Sequence, residues 1–484
     1  MTGKIEVATA KIFDILSDEE SKIEIPEFQR PYVWGVNQIE ELFLDFEEFL
    51  GSESESKEYY LGTILLYKKQ HDETYQIIDG QQRITTLLLI DYVFKKSESV
   101  VVKHKDRLRL YFNSPVSKRN LILNKEKIEE LKQKEKYNVW ENVKDRLVVS
   151  VIITDDIDGA FRFFETQNLR GVSLKPVDYL KAYHLRVLKN KEKKQRHFAR
   201  KWDEMNAEDF LNRLYSRILW RGRNWKGKEF EYENKESILI EFQKRLKANN
   251  SEKIKLFPNR RNMLAEDMIF TDNLELKLVG RFISLNMLPE DYPFSLRQPL
   301  EKGDAFFLYT KKYYHLYKLL FDNVNKEGEI SSRELYCMKK FYKQVYIDSG
   351  MSIYLKELFE LAMVLYYDKF GDENIYKFAQ YLDLFIGAKR IELKSIYAQT
   401  PIKLLREEKQ NLLDVIVFSF ESDEVFDFIK ENFNKEAYQN EKIEIDHKVQ
   451  GRYKKALLEW YKKSETKSLK DRLSWIEDDR EDCK

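Results

Sequence analysis

The sequence predicts an α+β protein, an N-terminal α/β unit followed by a mostly α-helical region, and three observations carry that prediction. Strand composition is concentrated early, in Tyr59–Tyr67 (YYLGTILLY), Tyr75–Ile78 and Leu147–Ile153 (LVVSVII), where β-branched and aromatic residues crowd together. After about residue 180 that signal fades. Leu-, Tyr-, Phe- and Lys-rich stretches with helical spacing take over at 177–200, 236–248, 305–322, 334–347, 353–369 and 373–386. Glycine and proline number only 16 and 9 among 484 residues, well under the roughly 12% of average usage, which argues against long flexible linkers.

The elements follow in order. Residues 5–17 (IEVATAKIFDILS) carry helical spacing. Ile25–Trp34 (IPEFQRPYVW) is an extended segment interrupted by Pro26 and Pro31. Asn37–Leu50 is an amphipathic helix with Ile39, Leu42, Phe43 and Phe46 on one side. Asp79 and Gly80 turn the chain from the strand Tyr75–Ile78 into a buried helix, Ile84–Phe94. The strand at Leu147–Ile153 runs through Asp155–Asp158 into a helix over Ala160–Gln167. The expected domains are 1–185 (α/β), 186–430 (helical) and 431–484 (a short C-terminal segment). No repeat recurs at a fixed period, and the lysine-rich stretches 118–136 and 190–201 read as solvated helix faces.

Composition narrows the function. A length of 484 residues implies two or three cores. With 84 Lys+Arg against 83 Asp+Glu the net charge is +1, so DNA binding requires a local basic face rather than a global pull. Cys337 and Cys483, the only cysteines, exclude a disulfide framework and a multi-cysteine zinc site. The first 30 residues show no signal pattern, and no apolar run reaches the roughly 18 residues of a membrane helix. The expectation is a cytoplasmic protein without membrane contact.

Three segments carry chemistry. Asp79-Gly80-Gln81-Gln82-Arg83, followed by Ile84-Thr85-Thr86, ends a strand, turns on a glycine and opens a helix. Free N–H groups and the positive end of the helix dipole suit an anion there. Arg83 adds a forked donor for phosphate oxygens, and Asp79 would hold a metal-bound water or orient Arg83. The same pattern also fits a plain strand–turn–helix with Asp79 as N-cap. In Pro26–Trp34, Arg30 supplies charge and Phe28, Tyr32 and Trp34 flat faces, suited to a base and a phosphate or simply to anchoring the N-terminal arm. In Phe164-Glu165-Thr166-Gln167-Asn168-Leu169-Arg170-Gly171, Gly171 permits a helix-ending turn, with Asn168 and Arg170 facing the cleft beside Ile78.

Together IPEFQRPYVW, DGQQRITTL and FETQNLRGVSLKPVDYLKAYHL resemble, in order and spacing, the three motifs of the GmrSD-type modification-dependent restriction family, whose N-terminal domain is related to the ParB/sulfiredoxin-like nucleotide-binding fold. Gln298-Pro299, Gly303–Phe307 and Tyr313-Tyr314 resemble the family's later helical signature, so the resemblance spans roughly residues 10–400. It implies a nucleoside triphosphate (GTP or another NTP), with Mg²⁺ or another divalent cation, bound and hydrolysed at Asp79, Gly80, Gln81, Gln82 and Arg83. Gln29 and Arg30 take the first motif's role, and Asn168 and Gly171 the third's. It also implies an anti-phage restriction protein acting on DNA that carries modified bases or a modified backbone. Cleavage would be its own or that of a separate nuclease subunit; a homo-oligomer is compatible, as is a ParB-like DNA-binding adaptor without catalysis. Phe28 stands where the family often has Tyr.

Family members often end in a His-Me finger nuclease, and Glu444-Ile445-Asp446-His447 resembles its start. Asp446 would bind the cation and His447 act as base, with 441–446 (EKIEID) as a strand and 452–463 as the following helix. The proline expected after His447 is absent and no Asn or His follows it. Glu459, Glu477, Asp478 and Asp479 remain as substitute ligands.

Overall fold

The computed structural model describes residues 5–51, 58–69, 73–156, 159–160, 174–188, 191–248, 253–260, 262, 265–270, 276–280, 287–322, 332–407 and 409–478. The chain forms two compact units, Met1–Phe210 and Leu211–Lys484. The division falls beyond the expected boundary at 185 because two helices, Pro176–Val187 and Glu192–Met205, pack with the first unit.

The first unit is built on a six-stranded mixed sheet in the order β1-β6-β3-β4-β2-β5. Its strands are β1 (Ile5–Lys11), β2 (Lys22–Glu24), β3 (Tyr59–Lys68), β4 (Thr74–Asp79), β5 (Leu108–Arg109) and β6 (Leu147–Thr154). β3 pairs parallel to β6 and antiparallel to β4. The helical expectation for residues 5–17 is corrected: only α1 (Ile12–Ser17) is helical. Ile5, Val7 and Thr9 recur at period 2 with β-branched side chains, and this stretch pairs antiparallel with β6 as an edge strand.

Helices α2 (Val36–Gly51), α3 (Gln81–Lys95), α4 (Pro115–Leu131) and α5 (Tyr137–Val143) join the sheet in one apolar core. Phe13, Phe43, Phe46, Phe94 and Trp140 are its aromatic centre, with Phe13 edge-on to Trp140 at 5.7 Å. α3 is buried on nearly all sides, as its near-continuous apolar run requires. α6 (Pro176–Val187) and α7 (Glu192–Met205) complete the unit.

The second unit is mostly helical, with α8 (Asp304–Phe321), α9 (Arg333–Tyr342), α10 (Ile353–Phe370) and α11 (Ile375–Glu392) among its longest helices. A hairpin of β7 (Ala265–Phe270) and β8 (Leu276–Gly280) interrupts it, within a region that is otherwise mostly helical as expected. Alternation in LKLVG was legible but short. The C-terminal residues belong to this unit. Arg472, at the start of α13 (Arg472–Asp478), pairs with Asp383 of α11 and donates to the Tyr438 hydroxyl at 2.7 Å, all fully or nearly fully buried. Tyr453 of α12 (Val449–Trp460) donates to Asp383 at 3.0 Å. Among the described residues no helix is long and apolar enough to cross a membrane.

Candidate functional site

The first two motifs meet at the C-terminal end of β4, each bracing the other. Buried Gln29 donates from Nε2 to the carbonyls of Ile77 (2.8 Å) and Ile78 (2.6 Å), the last turn-side residues of β4. In return Gln82 Oε1 accepts from the backbone N–H of Val33 (2.8 Å) and Trp34 (3.3 Å), and its Nε2 donates to the Pro31 carbonyl at 3.1 Å. Tyr32 is fully buried between them, its hydroxyl 2.8 Å from Thr86 Oγ1 and accepting from Asn124 Nδ2 at 2.9 Å. The two glutamines hold backbone and thereby fix where the neighbouring Arg30 and Gln81 stand.

Between β4 and α3, Gly80 adopts φ +96° and serves as the N-cap of α3, with Asp79 left as the last residue of β4. A Cβ at Gly80 would lie 2.9 Å from Ile64 Cγ1 as well as in a left-handed conformation, so only glycine suits the turn. No side chain caps α3 among the described residues. Its first intrahelical bond runs from Ile84 N to the Gly80 carbonyl, which leaves the N–H groups of Gln81, Gln82 and Arg83 as the free helix start. Gln81 is only 5% exposed, yet its Oε1 has no hydrogen-bond partner among the described residues. A buried orphan carboxamide is costly unless something else satisfies it.

Arg30 lies in the field of both Asp79 and Asp178 but makes no hydrogen bond among the described residues; burial pulls its guanidinium below the ordinary value, opposed by Asp178 and then Asp79. Burial pushes the Asp178 carboxyl up, opposed by the hydrogen bond from Lys175 N (3.1 Å) and by Arg30. Lys181, one helical turn on, is buried, donates to the Gln29 carbonyl at 3.1 Å and pairs with Asp203 of α7 at 2.9 Å. Asp178 and Lys181 lie inside the third motif, but their roles are not apparent from the sequence. The signal available was Pro176 followed by Asp178, the opening of a helix that aims its first turn at the site.

Arg83 is held by the backbone of β3. Its Nη1 donates to the Leu61 carbonyl at 2.7 Å and its Nη2 to the Thr63 carbonyl at 2.6 Å, leaving Asp79 Oδ2 at a marginal 3.5 Å. These carbonyls turn outward at a bulge in β3, where Gly62 has φ +98° and the register with β6 slips between Tyr60 and Thr63. Both arms of the fork are thus committed to backbone. Arg30, Asp79, Arg83 and Gly80–Gln82 come together; Asn168, Arg170 and Gly171 lie outside the described residues.

The C-terminal candidates arrange differently from expectation. Residues 441–446 are irregular chain rather than a strand, because Glu441 turns inward to accept from Lys454 Nζ at 2.9 Å and from Ile443 N at 2.6 Å. His447 and Asp446 are exposed, and Asp446 Oδ1 accepts from Lys448 N at 3.0 Å. Glu459 faces Lys455. Among the described residues no three His, Cys, Asp or Glu side chains cluster to hold a metal.

Among the described residues, Gly80 thus starts α3 without a side-chain cap, and Arg30 stands in the field of Asp178 and Asp79. Residues 12–185 match the GmrSD restriction endonuclease, N-terminal domain. Residues 194–445, more than half the chain, match a family of unknown function (DUF7834), and the chain belongs to that family. No curated protein matches it.

Proposed function

We propose that the first unit binds and hydrolyses a nucleoside triphosphate, GTP or another, at the start of α3, and that this governs restriction of modified foreign DNA in anti-phage defence. The observation that carries the reading is the start of α3, uncapped by any side chain among the described residues, with Arg30 in the field of Asp178 and Asp79 and without a hydrogen bond among the described residues. Phosphate oxygens suit the N–H groups of Gln81–Arg83, and the Arg30 fork supplies the charge that Arg83, tied to β3, has less freedom to give. Asp79 would hold Mg²⁺, or another divalent cation, that arrives with the phosphates. Bound there, the triphosphate supplies the phosphoryl bond that is cut. Gln29 and Gln82 position the loop, and the match to a restriction endonuclease domain supports the link to DNA.

The test is release of phosphate from each of the four NTPs, with and without modified and unmodified DNA. Mg²⁺-dependent hydrolysis, reduced at least about 100-fold in Asp79→Asn, is the expected result, given the several kcal/mol a positioned metal contributes. Absence of binding and hydrolysis of every NTP by folded protein would remove the reading. A regulatory role, with cleavage supplied by a separate nuclease subunit, is favoured over a self-contained nuclease by one observation: residues 431–478 are built into the helical core through Arg472 and Asp383. On the rival reading, with Asp446 and His447 as a metal-assisted nuclease centre, His447→Ala abolishes Mg²⁺-dependent nicking and leaves hydrolysis of NTP intact.

The reading has a pH signature. Asp178 has a raised pKa in the folded protein, so its neutral form is favoured there; that contribution is complete at low pH and is lost as pH rises through the raised value. A polyanion bound beside it favours the neutral carboxyl further. Triphosphate affinity is therefore expected to fall as pH rises through that value, and Asp178→Asn to flatten this step. Identical pH profiles for wild type and Asp178→Asn in calorimetric titrations would contradict the arrangement.

A further inference from the structure

Beside Arg83, a cavity of about 150 Å³ opens in the first unit, lined by Trp34, Tyr59, Tyr60, Leu61, Leu87 and Arg83 among others. Trp34 is held by its backbone from both sides: its N–H goes to Gln82 Oε1 at 3.3 Å and its carbonyl accepts from Asn124 Nδ2 at 2.8 Å. Its half-buried indole, by contrast, makes no hydrogen bond or ring contact among the described residues. Tyr60 is 57% exposed, its hydroxyl 2.9 Å from Ser150 Oγ. Tyr59 is anchored edge-on to Phe46 and Phe49, each at 5.3 Å. Three aromatic rings thus stand at one opening, one of them fixed at its backbone and unengaged at its ring.

The lining has aromatic faces, one guanidinium and no carboxylate. The Arg83 charge repels a cation, and the aromatic faces beside N–H donors suit a flat ring with acceptor atoms at its edge. Arg83 has five N–H donors, two of which go to the Leu61 and Thr63 carbonyls. The indole N–H of Trp34 is a further donor. A cavity of about 150 Å³ is the size that takes a benzene ring. The bulge at Gly62 is what opens this wall of β3: a Cβ there would lie 2.4 Å from Arg83 Nη1.

We propose that this cavity is a nucleobase pocket that takes one pyrimidine-sized ring, stacked on Trp34 and edged by Arg83, presented by an unstacked strand of DNA or by a free nucleotide. It adjoins the phosphate site at the start of α3 and shares Arg83 with it, but base capture needs neither triphosphate nor cation. The two readings therefore stand or fall separately.

The experiment uses the full chain without NTP or Mg²⁺. The probes are a fluorescein-labelled ten-nucleotide deoxycytidine strand, the corresponding abasic strand, and cytidine monophosphate. Stacking of a base on an aromatic side chain predicts a loss of about 10-fold or more in Trp34→Ala and near-complete retention in Trp34→Phe. Tight binding of the strand over its abasic counterpart, lost in Trp34→Ala, establishes the pocket with DNA as the source of the base. The same dependence for cytidine monophosphate alone establishes it with a free nucleotide as the source. Equal binding of base-bearing and abasic strands together with no binding of the monophosphate overturns the proposal. So does wild-type affinity in a Trp34→Ala protein of unchanged melting temperature. If Trp34→Ala does not fold, a strand carrying the fluorescent analogue pyrrolocytosine decides on wild type: quenching at saturation supports the pocket, and unchanged emission overturns it.

Discussion

Arg30→Ala is expected to weaken triphosphate binding by about 1.5–3 kcal/mol, roughly 10- to 150-fold, the range for a charge-assisted hydrogen bond. Arg30 is chosen over Arg83 because of where their donors go. Arg83 is bonded to the Leu61 and Thr63 carbonyls, so its removal exposes two carbonyls and disturbs the β3 bulge as well as any ligand. Among the described residues Arg30 has only the long-range attraction of Asp178 and Asp79, so its loss reads more directly on the ligand. Arg30→Lys keeps charge but not the planar fork and should recover part of the loss. Calorimetric titration with each NTP, alongside a melting curve, measures it. Wild-type affinity in a folded Arg30→Ala protein would move the phosphate site elsewhere.

In the second unit, Asp383→Ala is expected to destabilise the fold by about 3–5 kcal/mol, the cost of leaving a buried charge without its partner. Arg472 and Asp383 are both essentially inaccessible to water, so the guanidinium cannot rehydrate without opening the core. Tyr438 and Tyr453 donate or accept around it but carry no charge; burial holds the Tyr453 hydroxyl well above the ordinary phenol range, chiefly by desolvation and partly by Asp383. Asp383→Ala with Arg472→Met should be milder than Asp383→Ala alone, since an apolar pair of similar volume removes the orphan. Denaturant titration of Asp383→Ala, Arg472→Met and the double variant checks this. Additive losses would show that the pair is not coupled.

How much of this was legible depended on whether a residue's role is local. β3, β4 and β6 announced themselves by composition, as did α3 and the long helices of the second unit. β1 did not, because IEVATAK satisfies a helical spacing and a strand alternation over too few residues to separate them; pairing with β6, some 140 residues away, decides it. The motifs showed that Gln29, Arg30 and Asp79–Arg83 belong together. They did not show that Gln29 and Gln82 hold backbone, or that Arg83 is tied down while Arg30 is not. That division follows from the bulge at Gly62, which turns two carbonyls toward Arg83 and depends on pairing with β6. The inward turn of Glu441, which keeps 441–446 from forming a strand, likewise depends on Lys454 of the following helix.

The strand order has a consequence for synthesis. β6, residues 147–154, lies between β1 and β3, so β1 has no neighbour until β6 has left the ribosome. Lys181 and Asp203, which back the Arg30 loop, emerge later still. Domains tend to fold as units as they emerge, at about 5–20 residues per second. A nascent chain therefore carries the complete Gly80 turn for about 6–24 seconds of translation before the surroundings of Arg30 exist. Charge placement at the site is thus a late event in the protein's making, and a truncated product ending before α7 would hold the motifs without the environment that sets them to work.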